Sequence, residues 1–192
     1  MRTRGWWIVL AGMMAALYMV TSVAAATTTY TDPQGRFSIT VPDGYQRSSI
    51  LGPNIPTFSS PAFTGANFNV IVTTVPTGTT LVPLIPTRAQ FEALFRAVLS
   101  DQATFDFLPG GFGAATVGGH PAIQDDYIVT TNGLRLHGRQ YAILDGTTEY
   151  AVTFTARETD FDAFVKESRV VLDSFTILRG SPSTFIYRLG DG

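Results

Sequence analysis

His120 and His137 are the two side chains in this chain best suited to near-neutral acid, base or ligand chemistry. His120 sits in Gly118-Gly119-His120-Pro121, which reads as a turn entering a strand, and no second ligand stands at a metal-like spacing from it. His137 lies in a stretch of strand character, where the register argued below places it on one face with Asp126 and Arg139. The plain expectation there is a cross-strand Asp126–Arg139 charge pair, worth about 0.2–1 kcal/mol, with His137 at its border. Asp125 and Asp126 are adjacent, and neighbouring strand residues point to opposite faces, so their side chains do not share a calcium ion. Gly110-Gly111-Phe112-Gly113 lacks the Lys and Ser/Thr of a phosphate loop and reads as a turn or bulge. A hydrolase needs a nucleophile within reach of a base, yet the chain holds no Gly-x-Ser-x-Gly elbow and no cysteine. Lys166 is the only lysine, and it falls on a surface helix. The expectation is therefore no catalytic, cofactor-binding or metal-ligating residue.

These residues must be held by elements that the pattern of the chain outlines. Phe37, Ile39 and Val41 alternate with Ser38 and Thr40, a half-buried strand stopped by Pro42-Asp43-Gly44. A loop rich in Pro and Ser follows from Ser48 to Pro56, and a second strand runs from Asn67 to Val75 with Phe68, Val70 and Val72 on one face. Pro76 to Pro86 holds three prolines and reads as an ordered loop. Thr87 with Gln90 forms a capping box ahead of Phe91, Leu94, Phe95, Val98 and Leu99, which predicts an amphipathic helix from Arg88 to Gln102. A second helix is expected after Thr159, with Asp162 completing the box and Phe161, Phe164, Val165 and Leu172 as its buried stripe.

Between the helices, Asn132-Gly133 and Asp145-Gly146 are dipeptides favoured in two-residue type I′ hairpins. Counting from Asn132-Gly133 pairs Ile128 with His137 and Asp126 with Arg139. Counting from Asp145-Gly146 pairs Tyr141 with Tyr150 and Arg139 with Val152. One face then carries Ile128, Tyr141, Ile143, Tyr150, Val152 and Phe154, the other Tyr127, Val129, Leu136, Ala142 and Leu144. Both need cover, so the expected fold class is α+β, an antiparallel meander packed against two amphipathic helices in an α/β/α sandwich.

The start of the chain points to export. Arg2 and Arg4 precede an uncharged apolar run from Gly5 to Val20, and Ala24-Ala25-Ala26 offers the small residues of a signal-peptidase site, which places the cut before Thr27. Ser22-Val23-Ala24 is a second possible cut. The alternative is an uncleaved anchor, the one route by which this chain would touch a membrane. The expected organisation is a signal peptide over 1–26, one domain over 27–180 and a tail over 181–192. Without Arg2 and Arg4 the 13 basic residues become 11 against 15 acidic ones, a net charge of −4 that argues against nucleic acid. With no cysteine, neither a lipoprotein anchor nor a disulfide framework applies.

The order of elements is similar to that of a known superfamily. Tyr30 to Tyr45, reading Tyr-Thr-Asp-Pro-Gln-Gly-Arg-Phe-Ser-Ile-Thr-Val-Pro-Asp-Gly-Tyr, resembles the opening strand pair of the PsbP, Mog1 and DcrB-like superfamily. Gly119-His-Pro-Ala122 leading to Asp126-Tyr127, then Gly146 to Phe154 and a helix ending in Asp173-Ser-Phe-Thr-Ile177, resembles the closing half of those domains. The resemblance covers most of residues 30–178. It implies an antiparallel sheet sandwiched by helices, and a non-enzymatic accessory or binding role of the kind held by photosystem II extrinsic subunits, a Ran-binding protein and bacterial envelope proteins.

Apolar residues in a loop and in the tail are the best candidates for partner contact: Leu81, Leu84 and Ile85 between prolines, and Phe185 and Tyr187 near the C-terminal end of the sequence. The leading expectation is thus an exported protein that engages a protein partner. The alternatives are a hydrolase built from unrecognised Ser, Asp and His positions, and a carrier of a small apolar ligand.

Overall fold

The computed structural model of the chain describes residues 27–80 and 103–178. The predicted helix from Arg88 to Gln102, the predicted signal segment over 1–26 and the predicted tail over 181–192 lie outside these residues. Within them the elements run β1 (Thr28–Thr31), β2 (Phe37–Val41), β3 (Gln46–Ser48), β4 (Thr57–Ser59), β5 (Asn67–Thr74), β6 (Thr104–Phe107) and β7 (Gly113–Val117). There follow the long meander β8 (His120–Thr131), β9 (Leu134–Asp145) and β10 (Thr148–Arg157), then helices α1 (Phe161–Glu167) and α2 (Arg169–Asp173) and the short β11 (Thr176–Ile177).

Two antiparallel sheets result. The larger has eight strands in the order β3-β4-β5-β10-β9-β8-β6, with β7 also on β8, and the smaller has three in the order β1-β2-β11. Strand β2 is buried at Phe37, Ile39 and Val41 and partly exposed between, the alternation expected of it. Its buried side faces Tyr141, Ile143, Tyr150, Val152 and Phe154 of the large sheet, and Phe161, Phe164, Val171, Leu172 and Phe175 fill the rest of one core. Phe37 stacks on Phe175 at 5.8 Å and meets Tyr150 edge-on at 6.2 Å. Each phenylalanine so enclosed contributes about 2–3 kcal/mol of burial, which makes the aromatic centre the main fastener between the layers.

The described cover on this face is thus a small sheet together with two short helices, where an amphipathic helix, or helices with loops, was expected. The expected helix after Thr159 also differs in detail. It begins at Phe161 behind Asp160, which makes no side-chain cap. The Thr159 hydroxyl donates to the Asp160 carboxylate at 3.2 Å and so is not spent on a capping box. Ser168 divides the helix in two; its side chain is fully buried and shares a 2.8 Å hydrogen bond with the Tyr45 hydroxyl. Phe161, Phe164 and Leu172 are buried as expected, and Val165 is half-buried.

The turn at Asn132-Gly133 has the expected form, with φ of 49° and 74°, and it pairs Ile128 with His137 and Asp126 with Arg139. The next turn departs from expectation. Tyr150 lies opposite Ile143, Val152 opposite Tyr141 and Phe154 opposite Arg139, so the predicted Tyr141–Tyr150 and Arg139–Val152 pairs do not form. The loop is Gly146-Thr147, since Asp145 already pairs with Thr148. Gly146 has φ +60° while Thr147 is not among the positive-φ residues, the pattern of a type II′ turn with glycine first. A shift of two residues leaves every side chain on its own face, so the two apolar rows stand as expected.

Candidate functional site

The register set at Asn132-Gly133 brings the chain's chemistry together at one place on the helix-covered face. Asp126 on β8 faces Arg139 on β9, with His137 one step along the same face and Gln124 one step the other way. The carboxylate is only 5% exposed. Arg139 donates from Nε to its Oδ1 at 2.6 Å, His137 Nε2 lies 3.3 Å from the same oxygen, and Gln124 Nε2 donates to Oδ2 at 3.0 Å. Phe161, the first residue of α1, forms the floor: the His137 ring stacks on it at 3.5 Å and the Arg139 guanidinium stands 5.4 Å from its centre. Helix α1 therefore fixes both donors in place.

A loop closes the cluster from the other side. Leu108 N donates to the Asp126 carbonyl at 2.9 Å and Gly111 N to the Leu108 carbonyl at 3.0 Å. Gly111 is required there by space, because a Cβ would come within 2.6 Å of the Asp126 Cβ. The loop holds Phe112 outward at 54% exposure. The run Gly110 to Gly113 is therefore a turn, as its composition suggests.

Desolvation acts to raise the Asp126 carboxyl, but hydrogen bonds from His137 and Arg139 and the charge of Arg139 outweigh it and hold the group below the usual carboxylate range. An ionised carboxylate only accepts, so the His137 Nε2 carries a proton and donates to it. The charge is spent on holding three donors. His137 lines neither the cleft beside Arg36 and Val70–Val72 nor the cleft beside Ala114–Thr116. No hydrogen bond among the described residues joins His137 to a serine hydroxyl. His120 opens β8 opposite Val117, far along the strand from this cluster.

On the other face of the same strands runs a polar row that the sequence reading missed. Thr57, Asn69, Thr153, Gln140 and Asp125 are successive cross-strand neighbours on β4, β5, β10, β9 and β8. The Thr153 hydroxyl donates to Gln140 Oε1 at 3.2 Å, while Asp125 Oδ1 and Asn69 Oδ1 are buried with no hydrogen-bond partner among the described residues. Desolvation, then the charge of Asp126, push the Asp125 carboxyl up to about 7. The signal was present in the period-2 row Ile123, Asp125, Tyr127, Val129, where one acidic residue interrupts an apolar face.

Two clefts remain. One of about 340 Å³ is lined by Gln34, Arg36, Asn54, Ile55 and the Val70–Val72 run. The other, of about 330 Å³, lies by Ala114–Thr116, Gly119 and Pro121. Among the described residues no group of three His, Asp or Glu side chains is placed to hold a metal ion. No helix among them is long and apolar enough to cross a membrane. Leu81, Leu84, Ile85, Phe185 and Tyr187, the predicted partner contacts, lie outside the described residues.

The sequence profile of the PsbP family matches residues 25–177. Among solved structures, cyanobacterial PsbP (CyanoP) of Synechocystis sp. PCC 6803 is similar with a TM-score of 0.58 at 17% identity, over 82% of this chain and 95% of that one. A protein of Bacteroides thetaiotaomicron gives 0.56 at 12% identity, over 85% of this chain and 54% of that one. The Ran-binding protein Mog1p of Saccharomyces cerevisiae gives 0.52 at 11% identity, over 81% and 97%. At these identities the likeness is one of fold. No curated protein sequence matches the chain.

Proposed function

Because the chain belongs to the PsbP family, we propose that it is a non-enzymatic accessory or binding protein that works outside the cytoplasm by engaging a protein partner. The observation that carries this reading is the self-contained state of its chemistry. The histidine closest to an acid faces a carboxylate already engaged by Arg139 and Gln124, and the resulting group braces two strands against α1. Mog1p, of like fold, is named as a Ran-binding protein, which supports a protein as the ligand. Export rests on the basic, apolar and small-residue order of the first 26 residues.

The test is capture from envelope extract of the native source with the mature protein as bait, after cross-linking, read by mass spectrometry. One enriched protein, displaced by untagged bait, is the expected result. Turnover of an ester or peptide substrate that vanishes in His137→Ala but persists in a folded His120→Ala variant would replace the binding role by a hydrolase. N-terminal sequencing of extracytoplasmic material is expected to begin at Thr27, and an intact Met1 in the membrane fraction would overturn cleavage.

A further inference from the structure

Strand β5 is paired unevenly. Its bond to β10 runs the whole length, Asn67 to Thr74, but β4 reaches only Asn67 to Asn69. The direction of its backbone groups follows from two hydrogen bonds. Val75 N donates to the Thr147 carbonyl on the β10 side at 2.8 Å, and Val70 N donates to the Pro56 carbonyl on the β4 side at 3.1 Å. With a period of two, Ile71 and Thr73 bond toward β10, while the N–H and C=O groups of Val72 and Thr74 point to the β4 side. Continued in register, β4 would set Asn54 opposite Val72. Instead the chain turns away, with Gly52 N donating to the Ser49 carbonyl at 2.8 Å and Ile55 N to the Gly52 carbonyl at 3.4 Å. No strand among the described residues takes its place.

Proteins guard a free edge with lysine, proline or a bulge. Ile71-Val72-Thr73-Thr74 has none of these: all four are β-branched and uncharged, the residues that most favour adding a strand. The 340 Å³ cleft adjoins this edge at Ile71 and Val72 and is lined as well by Gln34, Arg36, Asn54 and Ile55. The one charge on its wall is already answered, since Arg36 meets Asp32 with two hydrogen bonds of 2.7 and 2.8 Å.

We infer that the edge of β5 from Ile71 to Thr74 is a docking site for an extended, uncharged segment of a protein partner, which adds to the large sheet as a further strand. The inference rests on the binding role proposed above and gives it a place. The backbone of the guest supplies the partners for Val72 and Thr74, and its apolar side chains on one face enter the cleft beside Ile55 and Val72. Backbone pairing supplies affinity and the cleft supplies selection.

The probe is a blocked peptide of three Thr-Val repeats between terminal lysines, added to the full mature chain. Protection of the Val72 and Thr74 amides from hydrogen exchange is expected. The same peptide N-methylated throughout the repeats, which keeps the side chains and removes the donors, should not protect them. Val72→Pro removes an amide that makes no bond to β10, so it should leave the fold intact by circular dichroism and weaken the peptide at least tenfold. Thr74→Pro gives the same reading if Val72→Pro does not fold. Equal action of the methylated peptide, or protection elsewhere on the protein, overturns the inference. So does protection of both amides without peptide that disappears in Phe185→Ser/Tyr187→Ser, for then the tail of the chain itself is the guest. Capture of a native partner equally by wild type and Val72→Pro refutes the edge and leaves the binding role standing. Failure of both to capture any partner refutes the role, and the peptide result still decides the edge.

Discussion

Asp125 and Asp126 are the same residue type, one position apart on one strand, and the fold treats them in opposite ways. Asp126 turns to the face covered by α1 and receives donors from Arg139, His137 and Gln124. Asp125 turns to the other face, where one of its oxygens has no partner among the described residues. One is held below the usual carboxylate range and the other pushed up to about 7. Burial acts in the same direction on both, so the difference lies in the donors that the register supplies to Asp126 and in the charge of Asp126 that Asp125 feels in addition.

The sharpest way to expose the contrast is pH. The folded pKa of Asp125 lies above its ordinary 3.8, so between about pH 4 and pH 7 the unfolded chain releases a proton that the folded chain keeps. Its contribution is fully present below that window and is lost as pH rises through it, a change on the order of 4 kcal/mol. Asp126 acts with the other sign, losing its contribution only as pH falls below the ordinary carboxylate value. Urea titrations at pH 5 and pH 8 are expected to show lower stability at pH 8, and Asp125→Asn to remove most of the difference. A slope unchanged by Asp125→Asn would break the comparison.

Removing the main donor is expected to make Asp126 resemble its neighbour. Arg139→Met leaves a buried carboxylate short of its countercharge and should lower the unfolding free energy by about 3 kcal/mol at pH 7. The loss should shrink as pH drops and the carboxyl takes up a proton. Gly111→Ala crowds the Asp126 Cβ and should reduce stability by about 2 kcal/mol with little pH dependence, read as a lower thermal midpoint. Gln124→Leu removes the third donor alone, and about 1 kcal/mol is expected from the same urea experiment.

What the sequence made legible was mostly local. Asn132-Gly133 alone determined the pairing of Asp126 with Arg139, because both loop positions need positive φ and those residues supply it. Asp145-Gly146 misled by two residues, since glycine can serve as the first loop position as readily as the second. The side-chain faces survived only because the error was even. Strands β3, β4, β6 and β7 have three to five residues each, too few for alternation to stand out, and the second sheet depends on a two-residue strand. The floor under His137 is not legible in the sequence because the spacing of Phe161 reads as helix core, and no short-range pattern says which strand side chain a helix residue will touch. The polar row escaped for a related reason, its members being spread from Thr57 to Thr153 and aligned only by the finished sheet.

The pairing of β2 with both β1 and β11 bears on how the chain reaches its native state. Meander hairpins form between near neighbours, but Ser38 finds Thr176 and Val70 finds Val152, contacts that close loops of much of the chain and are slow to make. Phe37 stacks on Phe175, almost at the far end of the domain. During synthesis β2 therefore emerges long before β11, and the aromatic centre cannot assemble until Phe175 has been made. A chain halted after Arg157 has its hairpins but lacks Phe161, Phe164 and Phe175, so it should persist as an open, protease-sensitive intermediate until the final twenty residues of the domain arrive.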